Sequence, residues 1–132
     1  MNTIEIVFED VASEHILPLL NELTGKASDQ SILTMLGIND VYYQTEPTLK
    51  CDAFNLTKCD FRIIKYEGKF DFEISFKLSD QHGLSNLVLS EFFTKMAIKH
   101  KASQVFCGIE PASDSNTRVF TGSSLGPIIL KF

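Results

Sequence analysis

The chain has 132 residues, 44% hydrophobic and 22% charged, the size and composition of one globular domain (1–132) with a buried core. Its 17 acids against 12 bases leave a net charge of −5, which argues against binding a phosphate backbone and favours a basic partner. Three Cys (Cys51, Cys59, Cys107) without a CxxC pair argue against a disulfide framework or a zinc site and point to reduced thiols.

Residues 3–8 alternate, with Ile4, Ile6 and Phe8 on one side and Glu5 and Val7 on the other. This predicts a first strand that ends at Glu9-Asp10. Ile16, Leu19, Leu20 and Leu23 then recur at helical spacing, and Gly25 is a natural stop. Pro18 predicts either a helix that begins near His15 or a kink. Residues 28–36 predict a short second helix, capped by Ser28 and ended by Gly37. Residues 41–44 and 48–54 predict strands separated by Glu46-Pro47. Asn55-Leu56-Thr57-Lys58 reads as a turn, although its first three residues also match a glycosylation sequon.

The next stretch organises the rest. Phe70, Phe72, Ile74, Phe76 and Leu78 alternate with Asp71, Glu73, Ser75 and Lys77, which marks a strand buried on one face. Residues 60–66 precede it across Glu67-Gly68, a two-residue hairpin link. That link sets Phe61 opposite Ile74, Ile63 opposite Phe72 and Lys65 opposite Phe70, with Arg62 opposite Glu73 and Ile64 opposite Asp71 on the other face. Eleven Phe and no Trp predict a Phe-rich interior behind the apolar face. Residues 84–101 predict the longest helix, with Leu84, Leu87, Val88, Phe92 and Met96 buried and Lys95, Lys99, His100 and Lys101 crowding its end. Residues 104–109 predict a strand. The Gly/Ser/Pro-rich tail predicts an ordered loop, a short strand at 118–120 and a last apolar run at 128–130.

This order gives an α+β fold: an antiparallel sheet with helices on one face, in the ferredoxin-like βαββαβ order, with an added meander strand and a C-terminal extension. The other sheet face then presents Glu5, Arg62, Ile64, Tyr66, Asp71 and Glu73 to solvent or a partner.

No catalytic motif stands out. His15, His82 and His100 lie at no metal-ligand spacing, and there is no GxGxxG, P-loop or GxSxG pattern. Asp71 and Glu73 share a strand face and could do acid–base work in a cleft, but a solvated acidic strip is the plainer reading. Cys107 reads as core, and His82 as part of a polar turn. No signal-peptide pattern and no membrane-length apolar run occur, which predicts a cytoplasmic protein with no catalytic residue, cofactor or metal.

The tail carries a resemblance. Gly108-Ile109-Glu110-Pro111-Ala112-Ser113-Asp114, Thr117-Arg118-Val119-Phe120-Thr121 and Leu125-Gly126-Pro127 resemble segments of bacterial immunity proteins of contact-dependent-inhibition or Rhs-type toxin systems. The resemblance implies a cytoplasmic inhibitor of one toxin domain, with no nucleic-acid or membrane partner. Acidity suits a basic, nuclease-type toxin. The candidate contact residues are Glu110, Asp114, Arg118 and Phe120 in the tail and Asp71, Glu73 and Tyr66 on the sheet, with Tyr66 and Phe120 as aromatic anchors. Plainer roles compete: Asp114 could cap a turn, and Arg118 could pair with it. A small-ligand or regulatory domain is the second reading, and a small enzyme using loop 80–82 or the tail is the third.

Overall fold

The computed structural model describes residues 3–25, 31–38, 41–45, 50–51, 55–81, 83–122 and 124–126. Its strands are β1 (Thr3–Val11), β2 (Val41–Thr45), β3 (Lys50–Cys51), β4 (Leu56–Thr57), β5 (Asp60–Tyr66), β6 (Lys69–Lys77), β7 (Gln104–Ile109), β8 (Arg118–Thr121) and β9 (Ser124–Leu125). Its helices are α1 (Ser13–Thr24), α2 (Ser31–Ile38) and α3 (Asn86–Lys99). Seven strands form one sheet in the order β2-β5-β6-β1-β7-β8-β9, and every neighbouring pair runs antiparallel. The inner four, β5-β6-β1-β7, are the ferredoxin-like arrangement. β2 extends one edge, and β8 and β9 extend the other.

The central hairpin has the expected register throughout: Phe61 opposite Ile74, Ile63 opposite Phe72, Arg62 opposite Glu73 and Ile64 opposite Asp71. Glu67 and Gly68 both take positive φ (47° and 76°), as the tightest two-residue turn requires. β1 pairs β6 on one side and β7 on the other. It runs past Glu9-Asp10 instead of ending there. Its pairing with β6 shifts between Phe8 and Val11, and Asp10 takes φ 57°. This is a bulge, which bends the strand and re-aims side chains.

The helices close one sheet face. Phe8, Phe61 and Phe72 lie in one core cluster with Leu19, Leu20 and Leu23 of α1, Ile32 and Leu36 of α2, and Leu89, Phe93 and Met96 of α3. Phe72 stacks edge-on against Phe8 (centroids 6.2 Å) and Phe61 (5.9 Å). Each fully buried Phe contributes roughly 1.5–3 kcal/mol by leaving water.

Several elements differ from expectation. Pro18 lies inside α1, beyond its first turn and on its exposed side. Gly25 ends α1 in the left-handed region (φ 69°), its N–H donating to Asn21 O, as expected of a helix stop. Gly37 lies within α2 and does not stop it, and Ser28 lies outside the described residues. Within 48–54 only Lys50 and Cys51 are described. They pair with Leu56 and Thr57, so the expected turn holds a strand, and this ladder is separate from the main sheet. The inward face of α3 is only partly the expected one: Met96 is buried, and Phe92 and, just before the helix, Leu84 pack against the core, whereas Leu87 and Val88 are exposed and Leu89, Ser90, Phe93 and Ala97 are buried instead. His100 is buried too, not at a solvated helix end. His82 and the run 128–130 lie outside the described residues.

Candidate functional site

The face of the sheet away from the helices is not bare. After β7 the chain turns back over it in loop 110–117 before entering β8. Ala112 is completely buried there and packs with Val7 and Phe106 in a small apolar cluster of its own. The return is close: a Cβ on Gly108 would meet Thr117 O at 3.0 Å and Arg118 Cα at 3.1 Å, so any side chain there would require main-chain atoms to give way. Two side chains hold Ala112. Its N–H donates to Glu5 Oε1 (2.9 Å), and its carbonyl accepts from Arg118 Nε (3.1 Å). The Arg118 guanidinium also lies 4.1 Å over the Phe106 ring and donates to Thr121 Oγ1 (3.2 Å).

Between this loop and the β5–β6 hairpin lies a groove of about 330 Å³. β1 supplies Glu5 and Glu9, β6 supplies Asp71 and Glu73, β5 supplies Arg62, and the loop supplies Glu110, Pro111 and Ser113. An adjoining cavity of about 350 Å³ lies against Thr3, Asp60, Arg62, Ser75 and Glu110. The groove proper sets five carboxylates against one guanidinium. Glu73 is 9% exposed, and its Oε1 accepts from Arg62 Nε (2.7 Å) and Nη2 (2.5 Å). Burial pushes the Glu73 carboxyl above its usual range, and Arg62 pulls back against that. Its hydrogen bond to Glu73 raises Arg62 in turn. Burial first, then Asp71 and Asp10, push Glu9 up.

At the bulge end of the groove, the Tyr66 hydroxyl donates to Asp10 Oδ1 and lies 3.0 Å from Asp71 Oδ1. Ser103 Oγ donates to Asp10 Oδ2 (2.9 Å). The bond to Asp10 drives the Tyr66 phenol well above its usual range, and the same bond holds Asp10 low.

The structure therefore unites two acidic clusters that look separate in the chain: Asp71 and Glu73 share one groove with Glu110. Asp114 stands outside it, exposed, with its carboxylate accepting from Asn116 N (3.0 Å), which is the turn-capping role. Arg118 does not pair with Asp114; it holds Ala112. Phe120 is completely buried in the main core, opposite Cys107, and cannot serve as a surface anchor. Tyr66 remains partly exposed, with its hydroxyl engaged. Glu5, Glu9, Asp10 and Arg62 join the site beyond the candidate residues. The alternation of β1 and β5 already placed Glu5 and Arg62 on this face, but nothing local in the sequence shows the loop that covers Glu5.

Among the described residues no cluster of His, Cys, Asp and Glu is placed to hold a metal ion, and no helix is long and apolar enough to cross a membrane. Cys107 is buried with its thiol pushed far up by desolvation, so it is no poised nucleophile.

The fold has a solved counterpart. A chain in the 1.75 Å crystal structure of the toxic C-terminal tip of CdiA from Pseudomonas aeruginosa in complex with immune protein superposes with a TM-score of 0.76. The match covers 97% of this chain and 99% of that one at 23% identity, a likeness of fold. Among curated proteins there is no match. The family model of the PABL017 Cdi1I immunity protein matches residues 30–125, most of the sequence, and the chain belongs to that immunity-protein family.

Proposed function

We propose that this protein works in the cytoplasm as the antidote to one toxin domain of the CdiA type, which it binds and blocks without catalysis. Family membership carries this reading. The solved fold counterpart, from a crystal of a CdiA toxic tip with its immune protein, supports it. The contact surface we assign is the acidic groove with the outer side of loop 110–117. A basic toxin presents Lys and Arg to a nucleic-acid substrate. Glu9, Asp71, Glu73 and Glu110 offer those cations an alternative, and Arg62 sets a local register within the field, while the Glu5 carboxylate is taken up by Ala112. The net charge of −5 speeds encounter with such a partner, an effect that salt screens. On these grounds the toxin is a basic, nuclease-type domain, with Glu110, Asp114, Asp71 and Tyr66 at or near the contact.

Growth rescue tests the function. Cells expressing the toxin domain encoded beside this reading frame should stop growing, and co-expression of this protein should restore growth. The two proteins should co-purify. Purified toxin should degrade nucleic acid only until this protein is added. Failure to rescue or to co-purify overturns the immunity reading. Rescue of a toxin that leaves nucleic acid intact overturns the nuclease assignment alone.

A further inference from the structure

A buried carboxylate is expensive unless something holds it, and Glu5 is only 5% exposed. It lies on β1 opposite Ser75 on one side and Gly108 on the other. Gly108 has no side chain there, which leaves room for loop 110–117 to come down onto the sheet. The carboxylate Oε1 meets the N–H of Ala112, 107 residues away. From the opposite direction, Arg118 Nε meets the carbonyl of the same residue. The guanidinium is itself fixed over Phe106 and by Thr121. Both backbone polar groups of Ala112 are thus held by charged side chains, while its methyl group is packed against Val7 and Phe106.

The two ends of the loop are tied as well. Glu110 N donates to Thr3 O (2.9 Å), and Thr117 Oγ1 reaches Ile109 O (3.5 Å). The residues this leaves outward, Glu110, Ser113 and Asp114, are exposed. A charge-assisted hydrogen bond at each end of one buried residue is more than a surface loop needs to stay folded. It does what a binding loop needs: the loop is ordered before the partner arrives, so association loses less entropy.

We infer that Glu5 and Arg118 are positioning residues for toxin recognition, a pair that clamps Ala112 and so presents loop 110–117 in its binding conformation. The inference rests on the immunity reading above. Neither residue need touch the toxin; both act through Ala112.

The test measures binding of the toxin domain recovered by co-purification to Glu5→Ala, Glu5→Gln and Arg118→Lys, together with amide exchange at Ala112 in the free proteins. Gln keeps an acceptor oxygen at the same reach, so Glu5→Gln should keep Ala112 as protected from exchange as in wild type and bind much more tightly than Glu5→Ala. Glu5→Ala should exchange faster at Ala112 and bind about tenfold more weakly or worse, with the loss mostly in slower formation of the complex. Arg118→Lys keeps the charge but loses the planar fork, and should follow Glu5→Ala. Full affinity in Glu5→Ala overturns the inference, and so does unchanged exchange at Ala112. If Glu5→Ala does not fold, Arg118→Lys decides, and wild-type affinity there overturns it. Wild-type protein that fails to bind or rescue is a different result: it removes the immunity reading itself.

Discussion

The two faces of the central sheet hide their residues by opposite means. On the helix face, Phe8, Phe61, Phe72 and Ile74 are wholly buried by other apolar side chains. On the far face, Glu5 and Glu73 are almost as hidden, by a loop backbone and an ion pair. Apolar burial is non-directional and sums with area, so the first face sets how stable the fold is. Hydrogen bonds and ion pairs are directional and roughly break even against desolvation, so the second face sets where groups sit more than how firmly the chain folds. Small exposure therefore has two meanings in one sheet, and what does the covering tells them apart.

The largest expected effect tests the helix face. Phe72 lies between Phe8 and Phe61 with no exposed surface. Phe72→Ala should cost about 3–5 kcal/mol, the transfer and cavity terms together. Ser75→Ala, three residues along the same strand on the far face, should cost under ~0.5 kcal/mol. Urea melts of the two variants check this. Equal midpoints would contradict the assigned facing of β6.

A smaller loss is expected where the far face is closed by backbone. Gly108→Ala puts a methyl group against Thr117 O and Arg118 Cα, which are main-chain atoms with little freedom to give. Forcing them apart should cost about 1–3 kcal/mol, the usual range for overpacking. It should also lift loop 110–117, read as faster amide exchange at Ala112. A variant as stable as wild type, with Ala112 still protected, would mean that the close approach matters little.

The same contrast explains what could be read from the sequence. The β5–β6 register was fully legible, because strict alternation and Glu67-Gly68 are local signals and both point to one pairing. β7 was legible for the same reason. α3 was misread in part. Its apolar residues do not form one clean stripe, and its inward face includes Ser90, whose hydroxyl finds Gly122 O (3.2 Å). That acceptor belongs to the tail, and no helical period announces it. Phe120 was misread because a short strand with Val119 and Phe120 both buried shows no alternation. The burial of Glu5 was illegible: on β1 it reads as an outward residue, and its cover comes from the other end of the chain. Local periodicity reported the core, whereas the site was built by long-range contacts between segments that each look like surface.

Charge reversal should leave stability nearly alone and strike binding. Glu110 is exposed, and only its backbone N–H has a fixed partner, so Glu110→Lys should change stability by less than ~0.5 kcal/mol. Adding Asp114→Lys removes the cap on Asn116 N, which costs about 0.5–1 kcal/mol more. Association with a basic toxin should slow, and its salt dependence should fall. Rescue at wild-type potency by the double variant would move the contact off the loop. Asp71→Lys, on the facing wall of the groove, is then the variant to measure.

The smallest expected effect is a pH dependence that separates binding from stability. Burial holds Glu9 and Glu73 above the usual carboxylate range, against Arg118 beside the first and Arg62 beside the second. Asp10, next to Glu9, is held low by Tyr66 and Ser103, and Glu22 on α1, away from the groove, is held low by Lys99 and then His100. The signs follow by linkage. A carboxylate with a raised folded pKa binds its proton more tightly in the folded state, so acidification through that pKa slightly favours folding. A lowered one contributes stability above its unfolded pKa that is lost as the pH falls toward the folded value. The two sets therefore act with opposite sign in different windows, the raised pair above the usual carboxylate range and the lowered pair below it. Binding follows the raised pair, because only the charged form of Glu9 or Glu73 attracts a cation. As the pH falls from about 7 toward the usual carboxylate range, at fixed ionic strength, toxin affinity should fall while the melting temperature holds or rises slightly. Glu9→Gln should remove part of that pH dependence and lower affinity at the upper end to match. An affinity that stays flat until the pH has passed below the usual carboxylate range would take Glu9 and Glu73 out of the contact and leave loop 110–117 to carry recognition without the groove.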